Sequence, residues 1–144
     1  MAEIKNKTAN NEAIVIPFWS SYYLNIPYRK SGRDFSSIDS WGLIRLIYIN
    51  SFDIALPSWN NKSDEEKAFD ILNSNIYYPV FSVEIGDILI IKISPKDFVF
   101  ALCLGSNRAI CSCKGIDSGI IDYSKEDIAS SIIGIYRYKT MVQI

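Results

Sequence analysis

The stretch that decides the fold of this chain runs from Ile26 to Tyr48 and reads IPYRKSGRDFSSIDSWGLIRLIY. Its first half is rich in Ser, Gly and Arg, which is typical of a loop. From Ser40 to about Ser51 apolar residues occupy nearly every side of a helical projection. A helix that is apolar all round in a globular protein is a buried one. We therefore predict a central buried helix that begins at Ser40.

The same stretch resembles the core motif of the NlpC-like cell-wall peptidases, above all the short forms carried by phage tails and gene transfer agents. In that family the motif reads roughly PYxxGG…DCxGLVR, and its cysteine opens the buried helix. Asp39, Gly42 and Leu43 match the motif, whereas Ser40 stands at the position of the cysteine. The closing GIYRY (134–138) is similar to the GFYRY ending of phage forms. The resemblance implies an α+β, papain-like NlpC-type fold, with N-terminal helices packed on a C-terminal antiparallel β-sheet.

The resemblance also assigns the other members of the catalytic site. In the family a histidine begins a strand that reads like HVALYLG, and counting back from Gly105 places it at Val99. The third member, often a second histidine, falls at Cys111. A tyrosine that helps to bind the oxyanion is kept as Tyr28, twelve residues before Ser40. All three catalytic positions have therefore changed, while Tyr28, Asp39, Trp41 and Gly42 would surround a vestigial cleft.

The chain contains no histidine, so no imidazole can accept a proton from Ser40. A serine hydroxyl, unlike a thiol at a helix start, needs an adjacent base to become a nucleophile. Of the lysines, Lys92, Lys96 and Lys114 are expected at the surface at strand ends. Ser40 is then best explained as a helix N-cap. We expect a pseudoenzyme.

Alternation along the strand puts Val99, Ala101 and Cys103 on one face. We expect that face to lie against the buried helix, with Val and Cys side chains refilling the former site as core.

The rest of the chain predicts helices first and antiparallel strands after, which is the α+β pattern. Apolar residues at helical spacing (Ile14, Phe18, Tyr22) predict a first helix that begins near Pro17. Ser63 and Glu66 predict a capping box at the start of a third helix. The predicted strands are Ile88–Ile93, Phe98–Leu104, Arg108–Lys114, Gly119–Tyr123 and Ile132–Tyr138, with a hairpin at residues 105–107. We expect residues 1–144 to form a single domain, with residues 1–8 as a flexible arm.

Composition excludes several classes of function. The net charge is −1, with 15 basic and 16 acidic residues and no basic stripe, which argues against nucleic-acid binding. No apolar run approaches the length of a membrane span. The N-terminus lacks the apolar centre of a secretory signal, which favours synthesis in the cytoplasm. Three clustered cysteines, Cys103, Cys111 and Cys113, fit buried thiols rather than disulfides, and a fourth ligand for a metal is missing. We expect neither a metal nor a cofactor.

Taken together, these features predict a catalytically inactive NlpC-like domain that is built into a phage-derived particle at the tail tip or baseplate. Its partners would be other tail or hub proteins, with Trp59, Arg29 and Arg33 as possible contacts. An alternative is a pseudoenzyme that binds peptidoglycan stem peptides in the cleft beside Tyr28. A third possibility is residual cell-wall hydrolysis by Ser40 with a base that the sequence does not reveal.

Overall fold

The N-terminal segment forms a strand pair and not a flexible arm. The computed structural model describes residues 3–7 and 13–139. Within them β1 (Glu3–Lys7) pairs antiparallel with β2 (Ala13–Pro17). The expectation of a flexible arm is therefore wrong for residues 3–7, because their backbone pairs with a neighbouring strand. Residues 1, 2 and 8 lie outside the described residues.

The predicted first helix is confirmed only in its starting point. A 3₁₀ helix (Phe18–Tyr23) begins directly after Pro17, whose φ of −61° is compatible with a helix start. Residues 13–17 are extended instead of helical. The consecutive β-branched residues Ile14, Val15 and Ile16 favour a strand, and this segment pairs with β1. The helical spacing of the apolar residues was therefore misleading here.

The central helix has the predicted bounds. A short hairpin of β3 (Arg33–Asp34) and β4 (Ser37–Ile38) precedes α1 (Ser40–Ser51). Eight of the residues of α1 are buried, among them Trp41 and Tyr48. The second α-helix, α2 (Asp64–Leu72), carries the predicted capping box, in which Ser63 and Glu66 bond reciprocally.

The C-terminal half forms a six-stranded antiparallel sheet with the order β5-β10-β6-β7-β8-β9. A short helix, α3 (Glu126–Ala129), connects the two strands that come last in the chain. The strands are β5 (Tyr77–Pro79), β6 (Ile88–Ser94), β7 (Asp97–Gly105), β8 (Arg108–Cys113), β9 (Ile116–Asp122) and β10 (Ile132–Tyr138). The α+β prediction and its five C-terminal strands are confirmed, whereas β5 and α3 were not predicted.

Each face of the sheet covers its own apolar core. The first, here the helix-side core, joins the apolar residues of α1 to Phe98, Phe100, Leu102 and Leu104 of β7. The second, here the outer core, contains no residue of α1 and is formed by Leu89, Ile91, Ala101, Cys103, Ala109 and Cys111. Alternate residues of β7 thus enter different cores, as the pleat of a strand requires.

Two polar contacts fix α1 and the last strand to the turn before β6. The hydroxyl of Tyr48 donates to the carbonyl oxygen of Gly86 at 2.6 Å inside the helix-side core. Arg137 of β10 donates to both carboxylate oxygens of the buried Asp87, at 2.8 and 2.9 Å. Such a bidentate ion pair has a defined geometry as well as charge. The turn is therefore a fixed point between the helix and the sheet.

Candidate functional site

The start of α1 is held by Asp39. Its Oδ1 accepts the backbone N–H of Gly42 at 2.7 Å, which makes Asp39 the N-cap and Ser40 the first helical residue. The expectation that Ser40 caps the helix is therefore wrong. A carboxylate at this position also interacts favourably with the helix dipole, which a neutral hydroxyl does much less.

Ser40 points toward the sheet, and its side chain is almost fully buried. Its Oγ accepts a hydrogen bond from the backbone N–H of Phe100 at 3.2 Å. Within residues 3–7 and 13–139, no hydrogen bond joins this hydroxyl to a carboxylate or a lysine. A serine nucleophile requires a base in hydrogen-bond reach of its proton. The arrangement at Ser40 provides an N–H donor instead.

Val99 and Cys111 do not occupy the places expected of them. Both side chains pack in the outer core, on the face of the sheet that is turned away from α1, and Val99 also lines the cleft beside Ser40. Val99 does share a face with Ala101 and Cys103, as predicted, but that face does not lie against the buried helix. Because side chains alternate along a strand, a shift of one residue moves each of them to the opposite face.

Phe98 and Ser112 are the neighbours of these positions that do face the helix. Phe98 belongs to the helix-side core and lines the cleft beside Ser40. Ser112 is fully buried, and its Oγ donates to the carbonyl oxygen of Ile38 at 3.4 Å. Neither side chain is a base. Because residues 98–104 of β7 are all apolar, the sequence carried no signal that would have identified Phe98 as the residue facing α1.

The cleft itself is open, contrary to the expectation that core residues refill it. A cavity of about 420 Å³ lies between the N-termini of α1 and α2 and the ends of β7 and β8. Ser40, Tyr28, Asp64 and Cys113 are among the residues that line it. The volume lies in the range of small-molecule sites. Of the two positions expected to refill it, Cys111 packs in the outer core, whereas Val99 lines the cleft and leaves it open.

Tyr28 remains at the edge of the cleft as a neutral hydrogen-bond donor. Its backbone forms an isolated parallel bridge with Ile38, one residue before the cap of α1. Burial raises the pKa of its hydroxyl, and the nearby charges of Asp39 and Asp64 raise the pKa further. The group therefore keeps its proton at neutral pH. It can donate a hydrogen bond to a ligand in the cleft.

Asp39 is also the centre of a charge cluster that sequence reasoning missed. Arg33 Nη1 lies 2.6 Å from its Oδ1, and Lys67 Nζ lies 3.9 Å from its Oδ2. Lys67 is 3% exposed and also donates to Asp64 at 3.1 Å. Lys67, Ala68 and Ile71 together form the buried side of α2, and their spacing could have revealed that Lys67 is buried.

Gly42 is needed because two backbone segments approach closely. A Cβ atom at this position would lie 2.1 Å from the carbonyl oxygen of Gly32, which no side chain can tolerate. Arg33 Nη1 donates to the same carbonyl at 2.7 Å. The glycine of the motif therefore lets the loop before β3 rest directly on the first turn of α1.

Three solved structures are similar to this geometry as a whole. The NlpC/p60 domain of the peptidoglycan hydrolase SagA superposes with a TM-score of 0.57 and 19% identity, over 82% of this chain and 92% of that one. An NlpC/P60 family protein from Bacillus cereus ATCC 10987 gives a TM-score of 0.64 and 16% identity, over 96% of this chain. A protein similar to lipoprotein, of the NLP/P60 family, from Staphylococcus aureus subsp. aureus Mu50 gives 0.58 and 22%, over 81% of this chain.

This chain has the papain-like fold of NlpC/p60 domains. The predicted fold is thereby confirmed. The chain spans 51% of the Bacillus protein and 38% of the staphylococcal one. Scans of the sequence against family models and against curated proteins gave no match. At these identities the likeness concerns the fold, and the chemistry of the cleft has to be argued from its own residues.

The proposed partner contacts differ in their accessibility. Trp59 stacks on the buried Trp41, with 4.6 Å between ring centroids and 22° between ring planes, and is only half-buried. Arg33 is paired with Asp39 and also donates to the carbonyl of Ser58, so it is held in the structure and is not presented to a partner. Arg29 is exposed. Of the three residues, Arg33 is therefore not a surface contact.

Neither a metal cluster nor a membrane helix is found among the residues that the structure describes. No three His, Cys, Asp or Glu side chains in residues 3–7 and 13–139 come together as ligands. In the same ranges, no helix is long and apolar enough to cross a membrane.

Proposed function

We propose that this protein is a non-catalytic NlpC-like domain that serves as an assembly component of a phage-derived tail tip or baseplate, in a phage or a gene transfer agent. The proposed lack of catalysis rests on the environment of Ser40. Its hydroxyl oxygen receives the Phe100 N–H, and the chain has no histidine to take its proton. The domain would be made in the cytoplasm and then incorporated into the particle.

The side chains around Ser40 support the loss of peptidase chemistry. On the helix side of the sheet the cleft presents Phe98 and Ser112. Lys67, the buried cation in this region, bonds to Asp64 and lies beside Asp39. A lysine that serves as the base for a serine must instead contact the hydroxyl.

Exposed apolar side chains support a role in assembly. Phe69 is 63% exposed and Leu72 is 43% exposed, one helical turn apart on the outer side of α2. Ile76, just beyond the helix, is 47% exposed. Contiguous exposed apolar side chains on one side of a helix are typical of protein contacts. The tail location rests on the resemblance of residues 26–48 and 134–138 to the phage forms.

Mass spectrometry of purified phage-like particles from the producing cells tests this proposal. We expect the chain to be present in intact particles and to cross-link to tail or hub proteins. A Phe69→Ser/Leu72→Ser variant should enter particles less efficiently, whereas the control Lys96→Ser, in the exposed turn between β6 and β7, should enter normally. A protein that stays free in the cytoplasm while particles form without it would refute the assembly role.

Binding of peptidoglycan stem peptides is a second candidate, and the open cleft of about 420 Å³ favours it. Tyr28 supplies a hydrogen-bond donor, and Asp64 and Lys114 supply charges of both signs at the wall of the cleft. Titration of muropeptides into the isolated domain distinguishes the candidates. Saturable binding that is lost in Tyr28→Phe would favour recognition, and absence of binding would favour a purely structural role.

A further inference from the structure

A second concave surface lies at the opposite end of α1 from the cleft. This groove, here the aromatic groove, has a volume of about 510 Å³. Asn50 is ten residues beyond Ser40 on the same helix, so the two ends are about 15 Å apart along its axis. The groove is lined by Trp19, Tyr22, Tyr23, Phe35, Asn50 and Ser51.

Aromatic rings form the floor of the aromatic groove in a fixed arrangement. Tyr23 is buried and stacks on Phe35, with ring centroids 5.8 Å apart and 15° between planes. Trp19 meets Tyr23 edge to face at 6.2 Å. Phe35 and Tyr22 remain 52% and 67% exposed. A buried ring therefore supports an exposed one, which keeps a flat aromatic surface in contact with solvent.

Polar groups without net charge complete the wall. Asn50 uses its amide nitrogen to bond the carbonyl of Leu46 at 3.0 Å, which fixes the side chain at the helix end. The hydroxyls of Ser51 and Tyr23 lie 2.8 Å apart. The six lining residues include no Asp, Glu, Lys or Arg. A charged ligand would find no counter-charge in this lining, so the aromatic groove suits a neutral ligand with both apolar and hydroxyl surfaces.

We propose that the aromatic groove binds a neutral oligosaccharide. The C–H face of a pyranose ring is weakly positive and packs on the negative face of an aromatic ring. The equatorial hydroxyls of the same sugar can bond to the amide of Asn50 and to the hydroxyls of Ser51 and Tyr22. A small-molecule site usually has an apolar floor with a small number of polar groups around it. This inference goes beyond the assembly role and does not depend on it.

Titration with chitohexaose, followed by tryptophan fluorescence and by NMR amide shifts, tests the inference. We expect saturable binding, with shifts concentrated at Trp19, Phe35 and Asn50. Phe35→Ala and Tyr22→Ala should each weaken binding roughly tenfold, as truncation of a central aromatic contact does. Phe81→Ala is the matched control, because this ring is fully exposed and outside the groove, and it should bind like the wild type.

Three outcomes would overturn the inference. The first is no saturation by chitohexaose, nor by the neutral glucan cellohexaose, at millimolar concentrations. The second is sugar binding that Tyr28→Phe abolishes and Phe35→Ala does not affect, which would place the sugar in the cleft. The third is dimerisation in sedimentation analysis that Phe35→Ala abolishes, with no sugar binding by either protein, which would make the aromatic groove an interface between copies. Thermal unfolding of each variant identifies any loss caused by misfolding.

Discussion

The hydroxyl oxygen of Ser40 accepts the backbone N–H of Phe100 across 3.2 Å. The contact joins the first residue of α1 to the middle of β7 inside the helix-side core. The contact uses one of the two lone pairs of the oxygen and orients the side chain toward the sheet. In residues 3–7 and 13–139, no hydrogen bond joins this hydroxyl to a carboxylate or an amine.

We predict that Ser40→Cys does not create a cell-wall hydrolase, because the helix start can favour a thiolate but the chain has no histidine to return a proton to the leaving amine. Ser40→Cys/Val99→His should be equally inactive, since residue 99 packs in the outer core. The measurement is release of soluble fragments from purified peptidoglycan, with Ser40→Ala as the blank. Hydrolysis by the wild type that Ser40→Ala abolishes would show that a base had been overlooked.

Asp39→Asn should destabilise the fold by about 3 kcal/mol, because it leaves Arg33 without its charged partner in a mostly buried site. Asparagine keeps the N-cap, so the loss reports the charge and not the cap. Urea unfolding measures it. The control is Asp70→Asn, whose ion pair with Lys62 is 36% exposed on each side and should matter little. Equal losses in the two variants would contradict a special role for Asp39.

Gly42→Ala should cost at least 1–3 kcal/mol of unfolding free energy, the usual penalty for overpacking, because its Cβ would lie 2.1 Å from the carbonyl oxygen of Gly32. Thermal and urea unfolding measure the loss. Gly119→Ala on β9 is the control, since a Cβ atom there meets nothing nearer than 3.9 Å. A Gly42→Ala protein as stable as the wild type would show that the loop can move away from α1 at little cost.

The capping box predicts a dependence of stability on acid. Hydrogen bonds to the backbone N–H and then the side chain of Ser63 lower the pKa of Glu66 below its ordinary 4.5. Its contribution is therefore present above pH 4.5 and disappears as the pH falls through the lowered pKa of the folded state. We expect the wild type to lose more stability than Glu66→Gln between about pH 5 and pH 3. Urea unfolding at each pH measures the free energy of unfolding of both proteins. Equal losses in the wild type and in Glu66→Gln would contradict this account.

The thiols should be poorly reactive in the folded protein. Burial, and then the charge of Asp87, raises the pKa of Cys103 to about 12, and burial raises the pKa of Cys111 to about 12. Burial also raises the pKa of the partly exposed Cys113. Because the thiolate is the reactive form, a disulfide reagent at pH 8 should modify Cys113 alone, and slowly. Rapid modification of all three thiols before unfolding would contradict the buried positions.

Prediction from the sequence succeeded where one pattern allowed one structure. The apolar residues of α1 surround the whole helix, so no error of face was possible, and its bounds were predicted correctly. Ser63 and Glu66 have the side chains and the spacing of a reciprocal cap, and both bonds are present. Local chemistry determined these elements almost alone.

Prediction failed where both faces of an element are buried. The residues of β7 from 98 to 104 are nearly all apolar, because one set enters the helix-side core and the other the outer core. Such a strand has no polar face to show which residues turn toward α1. Val99 was therefore assigned to the helix-side face by counting, although Phe98 is the residue that faces α1, and both residues line the cleft. Lys67 was missed because Asp39, the buried carboxylate beside it, lies far from it in the sequence.

The carboxylate of Asp39 brings together the loop that carries Arg33, the first turn of α1 and the buried face of α2. Three separately folded pieces of chain thus share one anchor at the mouth of the cleft. The walls of the cleft are therefore connected to one another through Asp39. We expect the opening to select ligands by their size and not to close around them.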